Sequence, residues 1–302
     1  MKRTDLVMLL TLGALWGSSY LFTRLGAGEF GAWPFAALRA GLAASLLVPL
    51  VAWRTGFSSL RSHWPQVAVI GLTQSALPTV LFCFALQSIP TGLSAILAAT
   101  TPLFTAALSR LWLDEHLGFS RYAGLAVGLV GVTWLVCGHA APISGDSSQI
   151  LLACAACLGA TTLYAISAIY TRQQAATVPP LVVAAGSQLA AAIMLLAPAV
   201  WSWPESKPSA TAWGALAALS VACTAVAYVL FYTLIARIGA ARTVSVTFLL
   251  PVFGVCWGAV FLHETITLNL LLGCATILAG TALSTGVLRL PITWTLKSAS
   301  TL

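Results

Sequence analysis

Apolar residues run through this chain in long blocks, broken by charges, prolines and glycines. Ten blocks approach or exceed 20 residues: 5–23, 32–53, 65–87, 91–113, 119–138, 148–170, 180–201, 211–236, 241–262 and 268–288. A membrane-crossing helix needs roughly 20 mostly apolar residues. Charge, Pro and Gly mark where such helices end. The pattern predicts an all-α polytopic membrane protein with ten transmembrane helices. The first block follows Lys2 and Arg3 and ends in Phe22-Thr23-Arg24 with no small-residue cleavage site, so it reads as a retained helix rather than a signal peptide.

Composition narrows the class further. Of 302 residues, 59% are hydrophobic and 7% charged, where soluble domains carry about 25% charged residues. The mean hydropathy is +0.95. A soluble enzyme, a nucleic-acid-binding protein, a disordered chain and a disulfide scaffold are excluded. The net charge of +7 is therefore loop charge facing anionic lipid and a signal of topology. With the N-terminus placed in the cytoplasm, Lys2, Arg3, Arg54, Arg61, Arg110, Arg121, Arg172, Arg237, Arg242, Arg289 and Lys297 fall inside. Arg24 and Lys207 fall outside and Arg39 lies within a helix, so the tally is eleven against two. This positive-inside bias predicts both termini on the cytoplasmic side.

The chain also repeats itself. A shift of 149 carries Pro102 onto Pro251, Glu115 onto Glu264, Gly124 onto Gly273 and Gly131 onto Gly280. A shift of 148 carries Leu15, Ser19, Thr23 and Arg24 onto Leu163, Ser167, Thr171 and Arg172, and sets Trp16 on Tyr164. Each copy holds five spans, an odd number, so the copies run in opposite orientation, as in many secondary transporters. The units are a first repeat over 1–138, a second over 148–288 and a cytoplasmic tail over 289–302.

The segments Pro102-Leu103-Phe104 … Trp112-Leu113-Asp114-Glu115 … Gly124 … Gly131 and Pro251-Val252-Phe253 … Phe261-Leu262-His263-Glu264 … Gly273 … Gly280 resemble the signature of the EamA-type carriers of the drug/metabolite transporter superfamily. The resemblance covers both halves. It implies a ten-helix bacterial inner-membrane carrier built as an inverted repeat, often exporting amino acids or related metabolites. Within the family the chain looks most like the YddG-type exporters of aromatic amino acids.

Polar groups in hydrocarbon are costly unless they face protein or water, so polar stripes at helical spacing point to a cavity. The third helix carries Gly71, Ser75, Thr79 and Cys83 on one face, with Gln74 and Phe82 as weaker candidates. The eighth carries Ser220, Thr224, Tyr228 and Tyr232. The first carries Trp16, Ser19, Tyr20 and Thr23, and the sixth Tyr164, Ser167 and Thr171. Two readings compete. In one, aromatic rings stack on a substrate and hydroxyls bind its polar groups. In the other, small residues simply pack helices together. The aromatic members favour the cavity.

Other residues carry paired readings. Pro102 and Pro251 sit mid-block, each freeing a carbonyl four residues back at Ala98 and Thr247. They serve as hinges or as static bends. Glu115 and Glu264 fall at helix-to-helix turns, where a carboxylate stabilises a helix start; a gating role is the rival reading. Arg39 is the one charge well inside a span. It either binds a substrate carboxylate or snorkels to the outer interface. Gly124, Gly128, Gly131, Gly273 and Gly280 mark close helix packing, within a monomer rather than across a dimer. Cys154 and Cys157 read as small packing residues rather than a redox or metal site.

No acid occupies a span centre, which disfavours obligate cations and a simple carboxylate proton relay. A lone buried Arg disfavours phosphorylated substrates. The four histidines lie at span ends or in loops, away from any Ser or Cys nucleophile at a span centre, which argues against an enzyme. The expectation is a secondary transporter, not an enzyme, exporting small neutral or zwitterionic metabolites such as aromatic amino acids, by alternating access and without coupling to protons. It has no cofactor and no metal. Its partners are the small-molecule substrate and the lipid bilayer, with no nucleic acid. The alternatives are a proton-coupled exporter of other metabolites or drugs, and a non-transporting structural or receptor protein.

Overall fold

The computed structural model of the protein describes residues 2–54, 56–114, 118–139, 147–239, 243 and 245–288. Among them the ordered elements are all helical. Among the described residues nine helical rods are long and apolar enough to cross a membrane: α1 (Arg3–Phe30), α2 (Ala32–Arg54), α3 (Trp64–Ala85), α4 (Thr91–Trp112), α5 (Phe119–Cys137), α6 (Ser147–Gln174), α7 (Pro180–Trp201), α8 (Ala210–Ile235) and α9 (Ser245–Leu262). A shorter apolar helix, α10 (Leu268–Ser284), follows. Thr267 caps its start by accepting a hydrogen bond from the Leu270 N–H at 3.1 Å, and Gly286 turns the chain at φ +78° beyond its end. This helix is 17 residues long, shorter than the predicted block 268–288. Conversely, α1 outruns its block and draws Arg24 and Glu29 into the helix before Gly31 ends it at φ +81°. Glu115, Arg242 and the tail 289–302 lie outside the described residues.

The exterior is large and apolar. Val7, Trp53, Leu111, Val130 and Trp201 are exposed, which suits lipid. The interior holds small residues and hydroxyls, among them Thr79, Thr91, Ser94, Thr161, Ser167, Ser220 and Thr224. Such hydroxyls find partners when buried, on their own helix as Thr161 does at the Leu158 carbonyl at 2.8 Å, or on a neighbour as Thr91 does at Glu264 at 2.8 Å.

The packing is regular. α2 packs on α7, α5 on α10 and α4 on α9; α1 packs on α8 and α9, and α6 on α3 and α4. Exchanging the first five helices with the second five leaves these pairings unchanged, the pattern an internal twofold produces. Both α3 and α8 contain a π-helical turn, Gly71–Ala76 and Val221–Val226. Glycines set the closest approaches. A Cβ on Gly280 would stand 2.4 Å from the Gly128 backbone nitrogen, and one on Gly124 2.4 Å from that of Ser284. Gly131 meets Ile277, and Gly273 meets Leu135. These five glycines therefore weld α5 to α10 within the chain. Cys154 and Cys157 are buried among apolar residues as free thiols.

The prolines sit differently from their expected mid-helix position. α4 is interrupted at Ala99–Thr100 and resumes at Thr101, leaving Pro102 in the first turn of the second piece. Pro251 likewise lies in the first turn of Leu250–Leu262, after a 3-10 turn over Ser245–Phe248. A first helical turn needs no N–H partner, so proline fits there without cost. The Ala98 carbonyl is not left free for a substrate, because the Thr101 hydroxyl donates to it at 2.8 Å.

Candidate functional site

Residues from five helices converge on one cavity, lined by Ser19, Tyr20 and Thr23 of α1, Arg39 of α2, Thr79 and Phe82 of α3, Tyr164 of α6 and Leu219 of α8. Helical spacing aligns the α1 set. Ser19 donates to the Trp16 carbonyl at 2.6 Å and Thr23 to the Ser19 carbonyl at 2.7 Å. Tyr20 meets Phe82 edge-on at 5.6 Å between centroids, and Phe82 lies near-parallel to Tyr164 at 6.0 Å. The three rings form an aromatic wall.

Opposite in character stands Arg39. It lies seven residues into α2, about 10 Å along the axis. Its side chain does not snorkel to the interface. Nη1 donates to the Thr79 hydroxyl of α3, and Nε donates to the Thr224 hydroxyl of α8 at 3.4 Å. Thr224 in turn donates its own proton to the Leu219 carbonyl at 2.9 Å. Among the described residues, Tyr20, Tyr164, Tyr228, Cys83 and Cys223 lie within electrostatic reach of the guanidinium. Phenols and thiols are uncharged at neutral pH. The cavity thus holds a positive charge, several hydroxyls and an aromatic face. Its volume is about 40 Å³, room for roughly three waters.

Six of the expected contact residues, Ser19, Tyr20, Arg39, Thr79, Phe82 and Tyr164, line this cavity, and Thr224 touches Arg39 from behind it. Others are placed elsewhere. Trp16 packs on Phe231 at 5.2 Å, in a cluster with Leu12 and Leu234. Ser75 faces α7 and accepts a hydrogen bond from the Gln188 amide at 2.8 Å. Tyr228 packs against the apolar cluster of Val182, Ala185 and Ala225. Ser167 is buried outside the lining. The Tyr232 side chain lies outside what is described. In α3 and α8 the π-helical turns rotate the upper part of the stripe relative to the lower. A stripe that looks continuous at regular helical spacing therefore splits between two faces.

Two residues escaped the sequence reading. Gln188 is a buried amide in the otherwise apolar α7, with its Oε1 lacking a partner. A lone amide in a span is a signal that composition alone could have raised. Leu219, an apolar residue among many, offers none.

The bundle is pinned at the end where α1 finishes. Glu264, after α9, accepts from the Thr91 N–H at 2.7 Å, the Thr91 hydroxyl at 2.8 Å and the Gly92 N–H at 3.1 Å. It caps the start of α4 rather than of α10, the next helix in sequence. Glu29 accepts from the Ser209 N–H at 2.6 Å and its hydroxyl at 2.8 Å, at the start of α8. Arg24 donates to the Leu86 carbonyl, and to that of Ile89 at 3.3 Å. At the opposite end Arg237 donates from Nε to Asp5 at 2.7 Å.

A bundle of lipid-facing helices around a polar, aromatic-lined cavity is the architecture of a multi-pass membrane carrier. The chain belongs to the EamA-like transporter family, whose model matches it twice, over residues 4–137 and 151–286. It is a transporter, not an enzyme. It is 28% identical over 277 residues to the uncharacterized transporter YvbV of Bacillus subtilis, covering 90% of this chain and 88% of that one. It is 32% identical over 138 residues to the uncharacterized inner membrane transporter YedA of Escherichia coli, covering 43% of this chain and 42% of that one. A probable terminal-alkyne amino-acid exporter of Streptantibioticus cattleyicolor is 24% identical, covering 94% of both chains. A solved crystal structure shares the fold at a TM-score of 0.66 and 23% identity, covering 95% of this chain and 98% of that one.

Proposed function

We propose that this protein is a ten-span secondary transporter of the bacterial inner membrane, with both termini cytoplasmic and two inverted five-helix halves. It exports small neutral or zwitterionic metabolites, amino acids and foremost aromatic ones, by alternating access and without obligate proton coupling. The observation that carries this reading is the cavity, which draws Ser19, Tyr20, Thr79 and Phe82 from the first half and Tyr164 and Leu219 from the second. At about 40 Å³ it is far below the roughly 300 Å³ or more of an open ligand pocket. In this reading a substrate is seated when the halves part, in keeping with alternating access. The relative named as an amino-acid exporter supports the substrate class, and the aromatic wall supports the aromatic preference.

Counterflow of radiolabelled phenylalanine, leucine and alanine in proteoliposomes tests it. Saturable exchange that persists when the proton gradient is collapsed is the expected result; no flux of any neutral amino acid overturns the reading. Tyr164→Ala is expected to cut aromatic transport by about two- to tenfold, the loss of one ring contact of about 0.5–1.5 kcal/mol, while preserving the elution profile of the folded protein.

A further inference from the structure

Arg39 is half-buried in the cavity, and its charge is not matched by any carboxylate among the described residues. Five of the seven acids are described. Asp5 pairs with Arg237, Asp114 with Arg110, Glu29 binds Ser209 and Glu264 binds Thr91, and Glu205 is exposed. A guanidinium offers five N–H donors, and among the described residues Arg39 commits them only to the hydroxyls of Thr79 and Thr224. Neutral oxygens satisfy hydrogen bonds but do not neutralise charge, and an uncompensated charge away from water is expensive.

We infer that a carboxylate is the obligatory feature of the substrate and that an ammonium group is dispensable, so that the site recognises aromatic and other apolar monocarboxylates as a class. This rests on the transporter reading and deepens it, by naming the carboxylate as the group the site recognises and so admitting monocarboxylate anions beside amino acids. A carboxylate gains a charge-assisted, bidentate pair with the planar guanidinium. An ammonium at the same place meets a like charge and is offered only the neutral hydroxyls of Ser19, Tyr20, Thr23 and Tyr164 and the faces of the aromatic rings, none of which carries a negative charge to offset Arg39. The rings of Tyr20, Phe82 and Tyr164 take the apolar remainder of the ligand. Thr79 and Thr224 belong to opposite halves, and a carboxylate that captures Arg39 takes the guanidinium from both. In the empty carrier those hydroxyls keep Arg39 satisfied, so the unloaded site does not collapse onto an orphaned charge.

Four probes that share one ring separate the two groups: 3-phenylpropionate, L-phenylalanine, L-phenylalaninamide and phenethylamine. Thermal protection of the purified full-length protein, and competition with phenylalanine counterflow, are read for each. Phenylpropionate and phenylalanine are expected to protect and compete; the amide and the amine are expected to fail at concentrations tenfold higher. Arg39→Gln is expected to weaken carboxylate binding about tenfold or more, and Arg39→Lys to restore it in part. Equal action by phenethylamine or phenylalaninamide on the wild type overturns the inference whether or not either variant folds, as does undiminished carboxylate binding to Arg39→Gln. If phenylalanine moves and its amide moves equally well, the inference fails and the exporter reading stands. If no amino acid moves but phenylpropionate protects the wild type and not Arg39→Gln, the amino-acid reading fails and the inference stands. If no carboxylate binds, both fall.

Discussion

At the scale of single residues, side-chain size decides more here than polarity. Glycine at 280 lets α10 touch α5 backbone to backbone, with the Gly128 nitrogen 2.4 Å from where a Cβ would sit. A methyl group there must push two rods apart. Gly280→Ala is expected to destabilise the protein by about 1–3 kcal/mol, the usual cost of overpacking. Gly214→Ala is the control, because a Cβ there meets nothing within 4 Å. Melting temperatures of the two variants in one detergent check the difference; equal values refute it. The packing role of Gly280 was readable in the sequence from its small-residue spacing with the α5 glycines. Which faces met was not, since spacing says that a face is narrow without saying what fills it. Arg39 gives the complementary case. Its position within a span was plain from the sequence, while the choice between snorkelling and facing inward depended on Thr79 and Thr224, which lie 40 and 185 positions away.

At the scale of elements, the ends of helices carry the cross-links. Glu264 satisfies three donors at the start of α4, where the first N–H groups have no intrahelical partner. The turn position of this carboxylate already marked it as a helix cap. The sequence neighbour, α10, is the natural candidate for the capped helix, yet Thr267 performs that task and frees Glu264 for a helix of the other half. Glu264→Ala is expected to lower stability by about 1–3 kcal/mol, because it strands donors at a buried helix start, with a loss of a few degrees in melting temperature. Glu205→Ala, at an exposed loop residue, is expected to change nothing. A Glu264→Ala variant as stable as Glu205→Ala contradicts the latch. Elements also explain why the polar stripes divide between the cavity and other faces. Thr79 reaches the cavity while Ser75, one turn away, faces Gln188. The intervening shift comes from the π-helical turn Gly71–Ala76, which hydrophobic periodicity at 3.6 residues per turn does not encode.

At the scale of the whole molecule, the paired contacts of the two halves and the charge distribution bear on one architecture. The positive-inside bias of eleven basic residues against two predicts cytoplasmic termini. A C-terminal green fluorescent protein fusion is then expected to fluoresce, and a phosphatase fusion in the loop at Lys207 to be active. A dark C-terminal fusion with an active C-terminal phosphatase fusion reverses the topology.

The sequence by itself determined the class, the number of apolar blocks and the doubling, because burial in lipid is a property of composition and length and because repeats are visible wherever they occur. It also determined which residue types were available for a site: aromatic rings, hydroxyls and one intramembrane arginine. Only the tertiary structure decided which of these meet. Trp16 and Tyr20 share a helix face in the sequence, yet one ring packs on Phe231 and the other on Phe82. The reason is physical. A stripe spans tens of degrees around a helix, and each edge of it meets a different neighbour. The cavity is set by where five helices leave space between them, a property of the packed bundle that no one helix contains.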